Sequence, residues 1–447
     1  MNSKGMLSVA LFLLGALVVA VEGQGQAPAL PGTPAAGAAP AAQQTGPGIQ
    51  APNDAKYREF VTAKCKNPPA PRGGGAAAGA PRGPAAPGGA APAAQGGAAA
   101  GGAPPRGGAA PAAAAGGRGG PTNPDGSPMH RDYKVTAIPG VIAEGAMWKT
   151  VWTGRGNNAD GPVATSDGGM LFAQNTDSKI MKLDKDGNKS FPYENTRTSG
   201  SVSINKKGTV FVLERALPQD VLQVAPKRQV LADTYMGEPL DCAGGLVNDM
   251  TTDSKGGVYF TMGGVFYADP KGVVTKYGTI GGNGIILSPD EKTLYVTGRL
   301  MGVATNPADQ TPAAVAAAAA AATAAAAPGT APAAGRGGGG GGGTGLVAFD
   351  VQPDGSLKNE RQFSTCACND GSAVDAQGRI YSTGGNGVQV LDKSGKFLGE
   401  IPSPLPLITV AFSGKDKKTL YGVANTQQWD EIFTIPMIAQ GFKGRPK

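Results

Sequence analysis

The sequence predicts an all-β fold, a six-bladed β-propeller, with an Ala/Pro/Gly-rich N-terminal region and one low-complexity insert. From about Tyr133 onward, short β-branched and aromatic runs alternate with Gly, Asp, Asn and Lys turns, and no long helical period is present. Strand-opening points recur at intervals near forty residues. A period of that length with several strands per unit is typical of a propeller blade.

Six repeat units account for the folded region. Their opening points lie at Asp160, about Gly200, Asn248, Asn283, Asp370 and about Thr409. The intervals are 40, 48, 35, 87 and 39 residues, and the long interval contains a 40-residue Ala- and Gly-rich insert at 305–344. We expect this insert in an outer hairpin of blade 4, extending into solvent. The last unit is one strand short, so we expect the segment Ala146–Trp152 to supply its outer strand and close the ring.

The N-terminal region divides into three segments. Residues 1–23 resemble a secretory signal peptide, because Lys4 precedes a short apolar run from Met6 to Val21. A retained N-terminal anchor is the alternative. Residues 24–132 are predicted to be a disordered linker with a short helix near 53–66, and residues 133–447 form the propeller. The expected location is therefore secreted or periplasmic, with no membrane span after signal cleavage.

Composition and charge argue against several classes of function. The net charge of +7 includes arginines in the linker, and no basic stripe with interleaved aromatics marks a nucleic-acid surface. Weak contact of the basic tail with acidic envelope polymers is the expected role of this charge. The single histidine, His130, precedes the folded region, which argues against a Ser-His-Asp triad, a Cys-His pair and a multi-histidine zinc site.

Four cysteines suit an exported protein. Cys242, Cys366 and Cys368 all approach equivalent ends of strands, so a disulfide from Cys242 to Cys366 or Cys368 is compatible with the repeat. Pairing with Cys65 stays open. A thiolate metal site at Cys-Ala-Cys lacks further soft ligands nearby.

The candidate site consists of oxygen donors at the first positions of inner strands. In a propeller these strands line the central channel, so their opening residues converge at one mouth. Two carboxylates and two amides form a hard, oxygen-only set that suits Ca²⁺ first, with Mg²⁺, Mn²⁺ or Zn²⁺ as alternatives. The expected metal ligands are Asp160, Asn248, Asn283 and Asp370. For each of these residues taken alone, the alternative is that its side chain forms an ordinary Asx turn and binds no metal.

The repeat motifs resemble the regucalcin/gluconolactonase family of six-bladed, metal-dependent lactonases. The resemblance runs from about Pro139 to Pro436. It is carried by Asn248-Asp249 with Asp253, by Asn283-Gly284 with Ser288-Pro289-Asp290, and by Asp370-Gly371 with Asp375 and Gly378.

This resemblance implies roles for individual residues. Asn248, Asn283 and Asp370 would hold one divalent cation, and Asp370 would also act as the general base for water attacking a lactone carbonyl. The family's first-blade Glu-Gly-Pro is Asp160-Gly161-Pro162 here, with Glu144 as a rival ligand.

Substrate recognition is the point at which the sequence departs from the family. The family's sugar-lactone members have an arginine where this chain has Leu246, which favours a more apolar lactone or an ester. Asp249, beside a ligand, is the candidate substrate contact.

The sequence therefore predicts an exported, divalent-metal-dependent hydrolase that opens a lactone or cleaves an ester. We expect its partner to be a small-molecule lactone or ester, and we expect no binding of nucleic acid. The alternative is a non-catalytic propeller that binds a metal or ligand as a scaffold in the cell envelope.

Overall fold

A computed structural model describes residues 55–69, 122–156, 158–278, 280–304, 306–310, 345–425 and 429–444. The predicted signal peptide, most of the predicted linker and residues 311–344 of the insert lie outside the described residues. Within the described ranges, no helix has the length and apolar character needed to cross a membrane.

The described strands form six four-stranded antiparallel sheets, which are the blades. Strand β1 (Lys149–Arg155) belongs to the last blade. Blade 1 contains β2 (Ala159–Ala164), β3 (Met170–Gln174), β4 (Lys179–Leu183) and β5 (Lys189–Glu194). Blade 2 contains β6 (Val202–Ile204), β7 (Val210–Glu214), β8 (Asp220–Ala225) and β9 (Gln229–Ala232). A short pair, β10 (Thr234–Tyr235) and β11 (Glu238–Pro239), follows it.

The remaining blades repeat this order from inner to outer strand. Blade 3 contains β12 (Met250–Thr252), β13 (Val258–Thr261), β14 (Val265–Ala268) and β15 (Val274–Tyr277). Blade 4 contains β16 (Ile285–Leu287), β17 (Thr293–Thr297), β18 (Leu346–Val351) and β19 (Leu357–Ser364). Blade 5 contains β20 (Ser372–Val374), β21 (Ile380–Gly384), β22 (Gly387–Leu391) and β23 (Phe397–Pro402). Blade 6 contains β24 (Thr409–Ser413), β25 (Thr419–Asn425) and β26 (Trp429–Pro436), with β1 outermost. The helical elements are α1 (Ala55–Lys64) and the 3₁₀ turns Leu240–Ala243 and Pro307–Asp309.

The burial of the strands follows their position in the blade. Every residue of β3, β7 and β21 is buried, whereas β5 is mostly exposed. A middle strand is covered on both faces by the neighbouring blades, so apolar side chains are stable on both sides of it. The outer strand meets solvent and tolerates polar residues.

Six apolar clusters close the ring. Each cluster joins two neighbouring blades: 1 with 2, 2 with 3, 3 with 4, 4 with 5, 5 with 6, and 6 with 1. The inner strands also contact one another around the full circle, including β24 against β2. The predicted six-bladed propeller is confirmed.

Blade 6 is completed by a strand from the other end of the folded chain. β1 pairs antiparallel with β26, with Lys149 opposite Thr434 and Arg155 opposite Trp429. The sequence placed this closing strand at Ala146–Trp152, and the observed strand begins three residues later, at Lys149. Trp148 precedes it and packs edge-on against Phe433 of β26, with ring centroids 6.5 Å apart.

The insert occupies a different hairpin from the expected one. Its flanking strands are β17 and β18, the second and third strands of blade 4, so the prediction of an outer hairpin is wrong. Both flanks also lie at the end of the ring where the inner strands begin, because Thr297 at the end of β17 pairs with Asn283 and Gly284. Residues 306–310 pack there through Asp309, whose carboxylate accepts a hydrogen bond from Thr365.

The disulfides differ from the expected pairing with the later cysteines. Cys242 pairs with Cys65, and Cys366 pairs with Cys368. The N-terminal helix brings Cys65 to the connection between blades 2 and 3, an approach that repeat spacing does not reveal. The Tyr57 hydroxyl of this helix donates a hydrogen bond to the Asp241 carbonyl at 2.9 Å, and Tyr57 is buried there.

Closure of the ring predicts that a Phe→Ala substitution lowers the free energy of unfolding by different amounts at two positions. Phe433 is 1% exposed at the closing blade, whereas Phe191 of β5 is 43% exposed. We expect Phe433→Ala to lower the free energy of unfolding by about 3–5 kcal/mol, because it leaves a cavity beside Trp148. Denaturant unfolding measures this, with Phe191→Ala as the control expected within about 0.5 kcal/mol of wild type. Equal losses at both positions would contradict the assigned closure.

The Cys65–Cys242 disulfide predicts protection of α1. A ten-residue helix is marginal when isolated in water, so its order depends on docking. We expect Cys242→Ser to speed tryptic cleavage after Arg58 at least tenfold, followed by mass spectrometry. Cys366→Ser breaks the other disulfide and is expected to leave α1 protected. A Cys242→Ser protein as resistant as wild type would show that α1 docks without the disulfide.

Candidate functional site

The predicted site residues open the inner strands at one end of the ring. Asn248 and Asn283 each stand two residues before an inner strand, and their backbone N–H groups pair with Thr261 and Thr297. Asp370 stands two residues before β20, and Asp160 lies in β2. The two asparagines therefore occupy equivalent ladder positions, and the two aspartates lie near the start of their own inner strands.

Asp160 and Asp370 lie at irregularities in the strand pairing, whereas Asn248 and Asn283 do not. In blade 5 the ladder bonds to Thr383 come from Asn369 and Gly371, which leaves Asp370 as an extra residue between them. In blade 1 the register shifts between Asp160 and Val163. A bulge of this kind re-aims a side chain, and bulges are common beside active sites. Asp370 thus leaves the regular ladder, whereas Asp160 keeps its pairing with Ala173 and the irregularity follows it at Gly161 and Pro162.

A buried arginine joins three blades at this site. Arg215, directly after β7, is 6% exposed. Its Nη2 donates a hydrogen bond to Asn248 Oδ1 at 2.7 Å and lies 3.6 Å from Asp160 Oδ2. Its Nε donates to the Val247 carbonyl at 3.0 Å. Arg215 was not among the sequence-predicted residues, and its only signal was a charge directly after a buried strand.

The contacts continue into blades 4 and 5. The Asn248 amide contacts Asn283 Oδ1, and Asn283 Nδ2 lies 3.4 Å from the Asn369 carbonyl. A Cβ added at Gly284 would lie 2.3 Å from the Asp370 carbonyl oxygen, so glycine is what allows blades 4 and 5 to approach here. Asp160, Arg215, Asn248 and Asn283 therefore form one continuous chain of contacts, with Asp370 next to its end.

Electrostatics links the same residues. Burial lowers the pKa of Arg215, while the carboxylates of Asp160, Asp370 and Asp249 oppose this shift. A guanidinium stays protonated in proteins, so the group is a fixed positive charge among three carboxylates.

Asp249 lies beneath the mouth and ties three blades together. It is 8% exposed, and its Oδ1 accepts hydrogen bonds from Ser201 Oγ at 2.9 Å and from the Met250 N–H at 2.8 Å. Its Oδ2 accepts from the Ile285 N–H at 3.1 Å. These bonds suit a residue that positions strands, and substrate contact by Asp249 stays a prediction.

The rival first-blade ligand is engaged elsewhere. Glu144 accepts a hydrogen bond from the Ala137 N–H and pairs with Lys134 at 3.1 Å, and its side chain is 52% exposed. These bonds hold it to its own segment. Asp160 is thus the first-blade carboxylate that lies near Arg215, which in turn binds Asn248.

The donor set fits a hard divalent cation. No three His, Cys, Asp or Glu residues of the described chain form a group that could hold a metal ion, and the predicted set differs because two of its four donors are amides. Oxygen donors of this kind are those that Ca²⁺ and Mg²⁺ prefer.

Comparison with known proteins points to lactonases. The family model described as the SMP-30/Gluconolactonase/LRE-like region matches residues 343–425, which include Asp370. A lactonohydrolase of Aspergillus oryzae is 29% identical over 150 residues, covering 32% of this chain and 27% of that protein. Lactonase drp35 of Staphylococcus epidermidis is 48% identical over 63 residues, 11% of this chain and 19% of that protein. The chain thus spans well under half the length of these curated relatives.

Solved structures support the same fold. A gluconolactonase from Xanthomonas campestris superposes with a TM-score of 0.51 at 18% identity, covering 71% of this chain and 98% of that one. The predicted resemblance to the regucalcin/gluconolactonase family is confirmed. At this identity the structural likeness concerns the fold alone, and no comparison assigns a role to the individual site residues.

The close packing of Arg215 against blade 2 predicts one steric effect. A Cβ added at Gly200 would lie 1.9 Å from the Arg215 Cζ, whereas one at Gly281 would meet nothing within 4 Å. We expect Gly200→Ala to displace the guanidinium and to cost about 1–3 kcal/mol of stability. Thermal unfolding measures this, with Gly281→Ala as the matched control near the same mouth. Equal melting temperatures for the two variants would contradict this placement of Arg215.

Proposed function

We propose that this chain, a relative of lactonases, is an exported, divalent-metal-dependent hydrolase that opens a lactone or cleaves an ester. The observation that carries the proposal is the contact chain from Asp160 through Arg215 and Asn248 to Asn283, with Asp370 adjacent. These residues are far apart in sequence yet meet at one mouth of the ring. The family match over residues 343–425 supports hydrolysis of a lactone as the reaction.

The cation would be held by Asn248, Asn283 and Asp370, with Asp160 as the first-blade carboxylate. Such an ion, when bound, polarises an acyl oxygen and favours negative charge upon it. Arg215 shares Asn248 and Asp160, so their side chains serve both positive charges. Asp249 holds blades 2, 3 and 4 at fixed spacing beneath the ligands.

Asp370 would act as the general base. A base needs a carboxylate aimed at the water it deprotonates, and the bulge between Asn369 and Gly371 turns this residue out of the ladder at the mouth. Asp370 would take the proton from the attacking water and return it to the ring oxygen that leaves. The products are the hydroxy acid from a lactone, or an acid and an alcohol from an ester.

Export forms part of the proposal. Residues 1–23 have a signal-peptide pattern, and two disulfides among the described residues support an oxidising compartment. Fractionation of cells that make the full chain, with N-terminal sequencing of the mature protein, tests this. Protein that stays in the reducing compartment with residues 1–23 attached would overturn it.

Activity on a lactone panel tests the catalytic proposal. We expect the wild-type protein, stripped by a chelator and reloaded with Ca²⁺, Mg²⁺, Mn²⁺ or Zn²⁺, to hydrolyse at least one lactone. Asp370→Asn is expected to lower kcat by about 10²-fold or more, because the amide cannot accept the proton. Titration of proton release measures the rate.

The matched control is Asp392→Asn, the same change in the β22–β23 turn of the same blade. It is expected to keep wild-type activity. A protein that binds a cation by calorimetry but turns over no lactone or ester would instead be the non-catalytic scaffold.

A further inference from the structure

Arg215 is a buried charge at the mouth that is neither a proposed cation ligand nor the proposed general base. Its guanidinium is fixed from two sides: the Val247 carbonyl accepts from Nε, and Asn248 Oδ1 accepts from Nη2. Gly200 lies directly against it, because a Cβ there would overlap Cζ. The group is therefore preorganised, and little side-chain entropy remains to be lost when a ligand binds.

One end of this guanidinium retains hydrogen-bonding capacity. Nε and Nη2 have the partners described above, and within the described part of the chain no residue accepts a hydrogen bond from Nη1. The residue as a whole is 6% exposed, but Nη1 is not one of the buried atoms that lack a partner, so solvent reaches it. An N–H group in such a place can exchange its water for an oxygen acceptor on a bound molecule.

The carboxylates around Arg215 determine which kind of ligand oxygen binds favourably to its guanidinium. The carboxylates of Asp160, Asp249 and Asp370 favour the charged form of the guanidinium. The same carboxylates repel a ligand that carries a permanent negative charge. A neutral carbonyl does not meet that repulsion. Its oxygen gains negative charge only during reaction, and a fixed cationic donor then stabilises the transition state more than the ground state.

On the basis of the proposed lactonase function, we propose that Arg215 is a catalytic residue whose Nη1 donates a hydrogen bond to the acyl oxygen of a neutral lactone. Water adds its oxygen to the acyl carbon, its proton passes to Asp370, and the carbonyl π electrons move onto the acyl oxygen facing Arg215. When the carbonyl re-forms, the bond from the acyl carbon to the ring oxygen breaks. The ring oxygen takes the proton from Asp370, which gives the hydroxy acid.

Three variants of Arg215 test this assignment on the full-length, Ca²⁺-loaded protein. Arg215→Met keeps the length and removes the donors, and we expect kcat to fall about 10²–10³-fold with KM changed only a few-fold. Arg215→Lys keeps the charge and is expected to retain part of the lost rate. For Arg215→Ala, we expect added guanidinium chloride at millimolar concentration to restore part of the rate.

Controls separate catalysis from folding and cation binding. Arg228→Met makes the same change at an exposed blade-2 arginine whose partners are Glu214 and the carbonyls of Glu194 and Asn195, and it is expected to keep wild-type kcat. Because Arg215 shares Asn248 and Asp160 with the proposed cation, the kcat of each variant is measured at Ca²⁺ saturation, which calorimetric titration establishes. Guanidinium is not expected to restore Asp370→Asn, since that variant lacks the base.

Each outcome decides between the proposals. Wild-type kcat in Arg215→Met, a rate loss fully explained by weaker Ca²⁺ binding, or no response of Arg215→Ala to guanidinium would overturn the role of Arg215 alone. Wild-type protein that opens no lactone with any of the four cations would overturn the lactonase proposal and this one together. If Arg215→Met unfolds at the assay temperature, the kcat of Arg215→Lys and the guanidinium response decide.

Discussion

The structure depends on burial of both faces of every blade against its neighbours. A four-stranded sheet with two apolar faces is unstable alone, and only a closed ring covers all twelve faces without leaving an exposed end. The cluster joining blades 6 and 1 is therefore as necessary as the five others. Closure also fixes where the inner strands begin, and so it places Asn248, Asn283 and Asp370 at one mouth. The geometry of the site is thus a product of apolar packing rather than of its own polar contacts.

Sequence reasoning predicted the ring because its signals are local and repeated. Turn residues such as Asp253 recur because one carboxylate oxygen accepts the N–H groups of Lys255, Gly256 and Gly257, which is chemistry visible in a short window. Pairing of Cys65 with Cys242 was not predictable in this way, because it depends on where a helix outside the repeat docks. The hairpin that holds the insert was misplaced for a related reason: low-complexity residues obscure which two strands they join.

The site was predictable in its donors and not in its charge balance. Equivalent repeat positions identified the asparagines and aspartates, whereas Arg215 directly follows the second strand of blade 2, a position that the repeat motifs do not include. Its contact with Asn248 and Asp160 appears only when three blades are in place. The same holds for the bulge at Asp370 and the register shift after Asp160, because extra residues in one strand are defined only by the partner strand.

The origin of the outer strand of blade 6 has a consequence for biosynthesis. The ribosome makes β1 before the first blade, but the strand that receives it, β26, follows all the other described strands. Until then β1 is an unpaired edge beside a growing row of sheets, and such edges can recruit strands from other nascent molecules. Closure of the ring therefore waits for β26, and a chain interrupted before that strand would form an open arc in place of a closed ring.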